Sequence, residues 1–253
     1  MVQQMPTAGV LALLRAAGPG RAAATLVAMP ADRVAVLLAA LTSAELGPML
    51  AAASTADRDR LVAAMSPAVA VGVLGSMAPE QVARVLTPMS APRAWQMLAG
   101  QPLSVVANAL LAVPDSARAR LEAAVPSELR TGLRTALYEQ QVGNSLRRIV
   151  DGVSRLPGDA CDLVMEIFGR HVQASVRYRG GGSMDEFEVS AAATAADWQR
   201  IGGRAVITDT PVTDGAQRYA GAVQVAGYPF ALLRWVTEGD TNALKRALVR
   251  LAS

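Results

Sequence analysis

The stretch that decides the fold reads MPADRVAVLLAA from Met29 to Ala40, then LTSAELGPMLAA from Leu41 to Ala52, and three units further on MAPEQVARVLTP from Met77 to Pro88. These are copies of one twelve-residue unit. They continue without a gap from Met5 to Ala136, as eleven units opening at Met5, Ala17, Met29, Leu41, Ala53, Met65, Met77, Met89, Gln101, Val113 and Val125. The tenth place is Leu or Val from Leu14 to Leu110 and lapses only at Glu122 and Arg134. The ninth runs Leu13, Thr25, Leu37, Met49, Leu61 and on to Leu133, and the sixth is apolar in most units, as in Val10, Val34, Leu46, Val82 and Val106. An internal repeat sets the architecture before any single residue is weighed.

Within a unit the sixth, ninth and tenth places and the first of the next unit fall at i, i+3, i+4 and i+7, one face of a helix. The second or third place carries helix-starting chemistry: Pro30, Thr42, Ser54, Ser66, Pro79, Ser90, Pro102, Pro114 and Pro126. Thr42 with Glu45 fits a capping box, and Ser66-Pro67 fits N-cap then N1. Each unit is therefore read as a helix of about two turns closed by a tight corner. So short a helix does not persist alone in water and must stack on its neighbours. The expected fold of residues 1–137 is an α-solenoid of short twelve-residue helical repeats. A few long helices are the rival reading, and the recurring prolines oppose it, at about 3 kcal/mol for each interior proline.

Of the 253 residues 52% are hydrophobic but only 4% aromatic, so Ala, Leu and Val carry the packing. The formal charge is +3 and the pI about 9.5. Lys245 is the only lysine among 24 basic residues. The arginines are scattered rather than clustered, which favours a solvated outer face over a nucleic-acid footprint. One cysteine, Cys161, forms no internal disulfide and suits a reducing compartment; it is read as a core residue of an apolar helix face. No signal-peptide pattern and no membrane span are read, and the expected location is cytoplasmic. Met65, Met77 and Met89 repeat at the first place, where core filler is favoured over an adaptable binding groove. Trp95 replaces a small residue at the seventh place, as half-buried packing or as a contact surface.

The segments Met29 to Leu38 and Met77 to Leu86, with a Pro corner and a closing apolar pair, resemble the amino-terminal superhelical domain of MgtE-type bacterial magnesium transporters. They are similar also to the middle region of the flagellar motor switch protein FliG. The resemblance covers roughly the first half of the chain and implies a scaffold that presents a surface. The transporters follow this domain with a regulatory nucleotide-type pair and a membrane bundle, neither of which is read here. No metal ligand carries over, because the acidic residues of the array are spread around its helices.

After about Leu137 the period stops. Residues 138–170 are read as connecting helices, one from Tyr138 to Arg155 and a second capped by Asp159 and running through Phe168. Residues 171–253 are read as a small α+β domain with a mostly antiparallel sheet. Its expected strands are His171–Arg179, Glu186–Ala191 as hairpin partner across Gly180-Gly181-Gly182-Ser183, Arg204–Asp209, and a hairpin of Arg218–Ala226 with Pro229–Thr237 through Gly227. Ala195–Ile201 is read as a short helix, Pro211–Gln217 as a polar loop, and Leu244–Leu251 as a last helix capped by Asp240 or Thr241.

No constellation names a reaction. One histidine and one cysteine without paired carboxylates give no metal site, and no cofactor is read. His171 is a strand-end residue. The glycine run lacks the lysine and the strand-to-helix setting of a phosphate loop. Asp185, Glu186 and Glu188 are read as a charged strand edge. The leading expectation is a non-enzymatic scaffold that binds a protein partner, with Trp95, Arg147, Arg148, Trp198 and Trp235 as contact residues. Two other readings stay open: a nucleic-acid-binding or -processing factor using the scattered arginines, and an enzyme at the domain junction built from Asp185, Glu186, Glu188, Asp209 and Arg204.

Overall fold

The structure is a computed structural model that describes residues 5–150, 152–155 and 162–252. The chain divides into two compact units between Leu133 and Arg134. Among the described residues no helix is long and apolar enough to cross a membrane. The proposed place of Cys161, and of Asp159 as a cap, lies outside the described residues.

The amino-terminal unit is a run of short helices: α1 (Thr7–Ala17), α2 (Pro19–Val27), α3 (Ala31–Ala40), α4 (Ser43–Ala52), α5 (Thr55–Ala64), α6 (Pro67–Ser76), α7 (Pro79–Leu86), α8 (Ala91–Leu98), α9 (Leu103–Ala112) and α10 (Asp115–Ala123), with α11 (Ser127–Arg147) following. Every one begins twelve residues after the last, always at the third place of the sequence unit. The corners explain the constancy. At Leu41-Thr42 and Ala53-Ser54 two consecutive residues are extended, the first ending one helix and the second capping the next. Thr42 and Glu45 form the expected capping box. A hydrogen bond from Arg15, then those from Thr42, hold the Glu45 carboxyl down at about 2. Where proline replaces the hydroxyl cap, its fixed φ supplies the same extended geometry, as at Pro30 and Pro102.

The packing repeat is twice the sequence repeat. Most of the close approaches are between alternate helices: α2 on α4, α4 on α6, α6 on α8, and likewise α3 on α5 and α7 on α9, while α1 packs on its immediate neighbour α2. Cross-contacts of α2 with α5 and α4 with α7 join the two columns. Val10, Leu14, Leu26, Leu37, Leu50, Val73, Leu86 and Leu110 are buried between them. Gly47 permits the approach of α4 to the corner between α6 and α7, since a Cβ there would sit 3.0 Å from Met77 Cγ.

The carboxy-terminal unit holds a five-stranded sheet in the order β1 (Ser154–Arg155), β2 (Leu163–Ile167), β3 (Arg170–Arg177), β4 (Gly203–Thr208) and β5 (Phe230–Arg234). The first two pairings are antiparallel and the last two parallel, so the expected mostly antiparallel sheet is a mixed one. The reason is that two expected strands are crossover helices. Glu186–Ala191 lies in α12 (Glu186–Thr194), and Arg218–Ala226 in α13 (Asp214–Val225) and its C-cap, Ala226. Each joins neighbouring strands that must then run parallel. Asp185 caps α12 through a box with Glu188. Gly227, with φ 88, stops α13: its N–H reaches Gln224 O and that of Tyr228 reaches Val223 O, a helix terminus rather than a hairpin turn. Leu163–Ile167 is strand, not helix, and the expected helix at Ala195–Ile201 is a turn.

α11 contributes Tyr138, Val142 and Leu146, and α14 (Thr241–Ala252) Leu244, Leu248 and Leu251, to a core on one face of this sheet. α12 and α13 cover the other face with Val189, Ala216 and Ala220 against Val206 and Phe230. All six residues of β4 are buried, the pattern of a central parallel strand.

Phe168 and Gly169 both have positive φ and form the two-residue turn between β2 and β3. Phe168 is 75% exposed there. Phe168→Asn is expected to raise stability by about 0.5–1 kcal/mol, because asparagine tolerates the left-handed region and phenylalanine gains nothing from its exposure. Urea denaturation checks it, and a loss of stability would contradict it.

Candidate functional site

Of the residues expected to contact a partner, Trp95 and Trp235 are buried, at 7% and 2% exposure. The Trp95 indole N–H donates to Leu121 O at 2.9 Å, and Trp235 packs against Tyr138 in the core of the second unit. Neither presents a free face, and for Trp95 the packing reading describes its place. Trp198 is half-buried beside Tyr228 and Phe230. Arg147 and Arg148 are exposed. The first donates to Asn144 Oδ1 and the second to Glu238 Oε1 at 2.7 Å.

The five residues read as a junction site have separate structural tasks. Asp185 and Glu188 close the amino end of α12, and Glu188 also receives Arg179. Asp209 accepts the N–H groups of Arg179 and Gly180 at 2.8 and 2.9 Å, which fixes the start of the glycine run. Glu186 lies over Gly215 in the first turn of α13. Arg204 is inside the sheet at 1% exposure, donating to Gln173 Oε1 and Ser175 Oγ. The acidic residues are thus a helix cap rather than a strand edge.

What the fold does bring together is Glu139 of α11, Arg155 of β1 and Asp162, which with Arg147 line a cavity of about 20 Å³, and Arg177 of β3, which pairs with Asp162. Glu139 pairs with Arg155, and Asp162 accepts from Arg177 Nη1 at 2.8 Å and from Val176 N. The cavity is large enough for about one water molecule. The sequence offered no motif for it, since the four residues are drawn from three strands or their flanks and a helix. Burial raises the Glu139 carboxyl above its ordinary value, Asp162 adds to this, and Arg155 and Arg177 oppose it. A carboxyl raised in this way binds its proton more tightly folded than unfolded. Its contribution is complete below about pH 4, the ordinary glutamate range, and fades as the pH rises through the folded value. Glu139→Gln is therefore expected to be more stable than the parent at pH 7 and equal to it below about pH 4. Denaturation midpoints across that range check it, and a less stable variant at pH 7 would refute it.

Two residues of the first unit also escaped the sequence reading. Arg58 occupies the apolar sixth place of its unit yet is only 7% exposed, its guanidinium donating to Leu50 O, Arg84 O and Ala53 O at 2.8–3.0 Å. Arg120 similarly reaches Thr87 O and Met89 O. A break in the apolar stripe at Arg58 was the available signal.

Two surface grooves of the first unit repeat. One, of about 310 Å³, lies between α3 and α5, and another, of about 150 Å³, between α7 and α9. Met29, Val34, Arg60 and Leu61 line the first; Met77, Val82, Asn108 and Ala109, each 48 residues later, line the second. Met29 and Met77 are core residues that also line these grooves. Among the described residues no three His, Cys, Asp or Glu side chains converge as metal ligands. No protein-family model, no curated protein and no solved structure matches the chain.

Proposed function

We propose that the chain is a non-enzymatic cytoplasmic scaffold: a solenoid of short helices that holds a protein partner along its surface, with the carboxy-terminal unit adding a specific contact. The observation that carries this is the recurrence of one groove at equivalent repeat positions four units apart. Stacked repeats generate extended surfaces whose features recur in this way. The likeness to the MgtE-type superhelical domain supports the same reading. The dispersed carboxylates favour it over a junction enzyme, and the scattered arginines favour it over a grip on nucleic acid.

Ala63 and Asn108 are exposed and line the two grooves. The test is affinity capture from the native host with the full chain and with the double variant Ala63→Glu/Asn108→Glu. The expected result is one partner retained by the parent through a salt wash and lost by the variant, with unchanged circular dichroism. Equal retention by both, or turnover of a substrate without any partner, would remove the reading.

A further inference from the structure

We infer that the outer edge of β5 receives an extended acidic segment of the protein partner as a sixth strand; this rests on the partner-binding reading above. β5 is an end strand of the sheet. Its inner hydrogen-bonding side is fixed by two bonds: Arg204 N–H donates to Pro229 O at 2.8 Å, and Trp235 N–H donates to Thr208 O at 2.9 Å. In a parallel ladder alternate residues engage the neighbour. Residues 229, 231, 233 and 235 therefore face β4, and Phe230, Leu232 and Arg234 turn their main-chain groups outward. Gln224 Nε2 donates to Phe230 O at 2.5 Å and closes one end. The peptide groups of Leu232 and Arg234 remain as the open edge, and among the described residues no strand pairs with it. The opposite edge is different in kind: among the described residues β1 is a two-residue strand. Short edges of that sort resist strand addition.

Two clefts flank the open edge. One of about 550 Å³ lies between β5 and α14, and one of about 400 Å³ between β5 and α13; Leu232 and Gln224 line both. An added strand sends its side chains alternately to the two faces of a sheet, so each cleft receives every second residue. The charge of the clefts selects the occupant. Among the described residues Arg250 is the only charged one lining the first and Arg234 the only one lining the second. Among the described residues neither makes an ion pair. Asp240, the carboxylate that Arg234 does influence, is engaged by the N–H groups of Val236 and Thr237. A segment with a carboxylate on each face would meet one arginine on either side. A second copy of this chain fits badly, because no carboxylate occurs between Ala226 and Thr237. Two such edges brought together would place arginines near each other with nothing to neutralise them.

The probe is a fluorescein-labelled octapeptide of two Asp-Asp-Val-Val repeats, which puts carboxylates on both faces of an added strand, compared with its Lys-Lys-Val-Val counterpart by anisotropy and by amide hydrogen exchange on the full chain. The acidic peptide is expected to bind and to slow exchange at Leu232 and Arg234. Arg234→Glu/Arg250→Glu should weaken it by about tenfold or more, the scale of losing a charge-assisted contact. Leu232→Pro removes an outward N–H that the sheet does not use, and should abolish binding with circular dichroism unchanged. No binding, equal binding of the basic peptide, or unchanged exchange at those two amides would overturn the proposal. So would slow exchange without peptide accompanied by a doubled mass in light scattering, which would assign the edge to a second copy. Groove-dependent capture of a partner that persists when the peptide fails would leave the scaffold standing and remove only the edge.

Discussion

Replacing Arg58 by alanine is expected to cost the helical unit about 3 kcal/mol, more than any exposed substitution in it. The reasoning starts from where the guanidinium sits. Leu50 and Ala53 belong to the carboxyl end of α4, and Arg84 to the last turn of α7, so all three accepting carbonyls lie at helix ends that lack intrahelical partners. A cation there also meets the negative ends of two helix dipoles. Burial lowers the guanidinium from its ordinary value and the neighbouring Asp59 pushes the other way. Removing the side chain leaves the carbonyls without donors in a site that admits little water, at about 1–3 kcal/mol for each group that stays dry. Arg58→Lys keeps the charge but not the planar fork, and should lose about 1–2 kcal/mol. Arg58→Met keeps the packing of the stem and none of the bonds, and should fall between the two. Since the chain has two units, the readout is local: amide exchange in the last turns of α4 and α7 should speed up by about a hundredfold in Arg58→Ala. Protection equal to the parent's in those turns would show that water replaces the guanidinium without loss.

Arg58 also marks how far the sequence could be read. The twelve-residue beat located each helix start of the first unit, because the corner chemistry at Thr42, Ser54 or Pro102 is local and acts on the residues beside it. The pairing of alternate helices was not legible. Every unit presents the same stripe, and which neighbour covers it depends on the backbone geometry of each corner, which is not a matter of composition. Arg58 was hidden for the same reason: its acceptors lie five and eight residues back and 26 residues ahead, in two different helices.

The second unit shows the opposite failure. There the local signals competed. Phe187-Glu188-Val189-Ser190 alternates like a strand, yet Asp185 and Glu188 close a capping box and the alanines that follow favour helix. Tyr219 to Val225 alternates too, but Thr213 caps a helix that buries Ala216 and Ala220 four apart. In both, a start signal a few residues upstream outweighed the alternation. Glu139, Arg155, Asp162 and Arg177 could not have been grouped in advance, because their meeting depends on the strand order of a sheet whose strands were misassigned. The edge of β5 was unreadable for the same reason, since Pro229–Thr237 was expected to pair within a hairpin.

Trp95→Ala is expected to cost about 4 kcal/mol, the range for emptying a large buried aromatic site. Two effects add. The ring is buried in α8, and its loss leaves a cavity in a helical run whose cores are built mainly from Leu, Val, Ala and Met. Its indole N–H also serves Leu121 O in α10, so alanine strips a donor from the next helix of the same column at the same time. Trp95→Phe separates the two: it fills most of the volume, forfeits the hydrogen bond, and should cost about 1–2 kcal/mol. The difference between the variants measures the cavity, and amide exchange in α8 and α10 shows where the loss falls. A ring that anchored a partner from the surface would behave the other way. Trp95→Ala would then leave stability within about 0.5 kcal/mol of the parent and weaken capture directly. With the ring at 7% exposure, Trp95→Phe is expected to retain the partner as well as the parent does under conditions where both are folded.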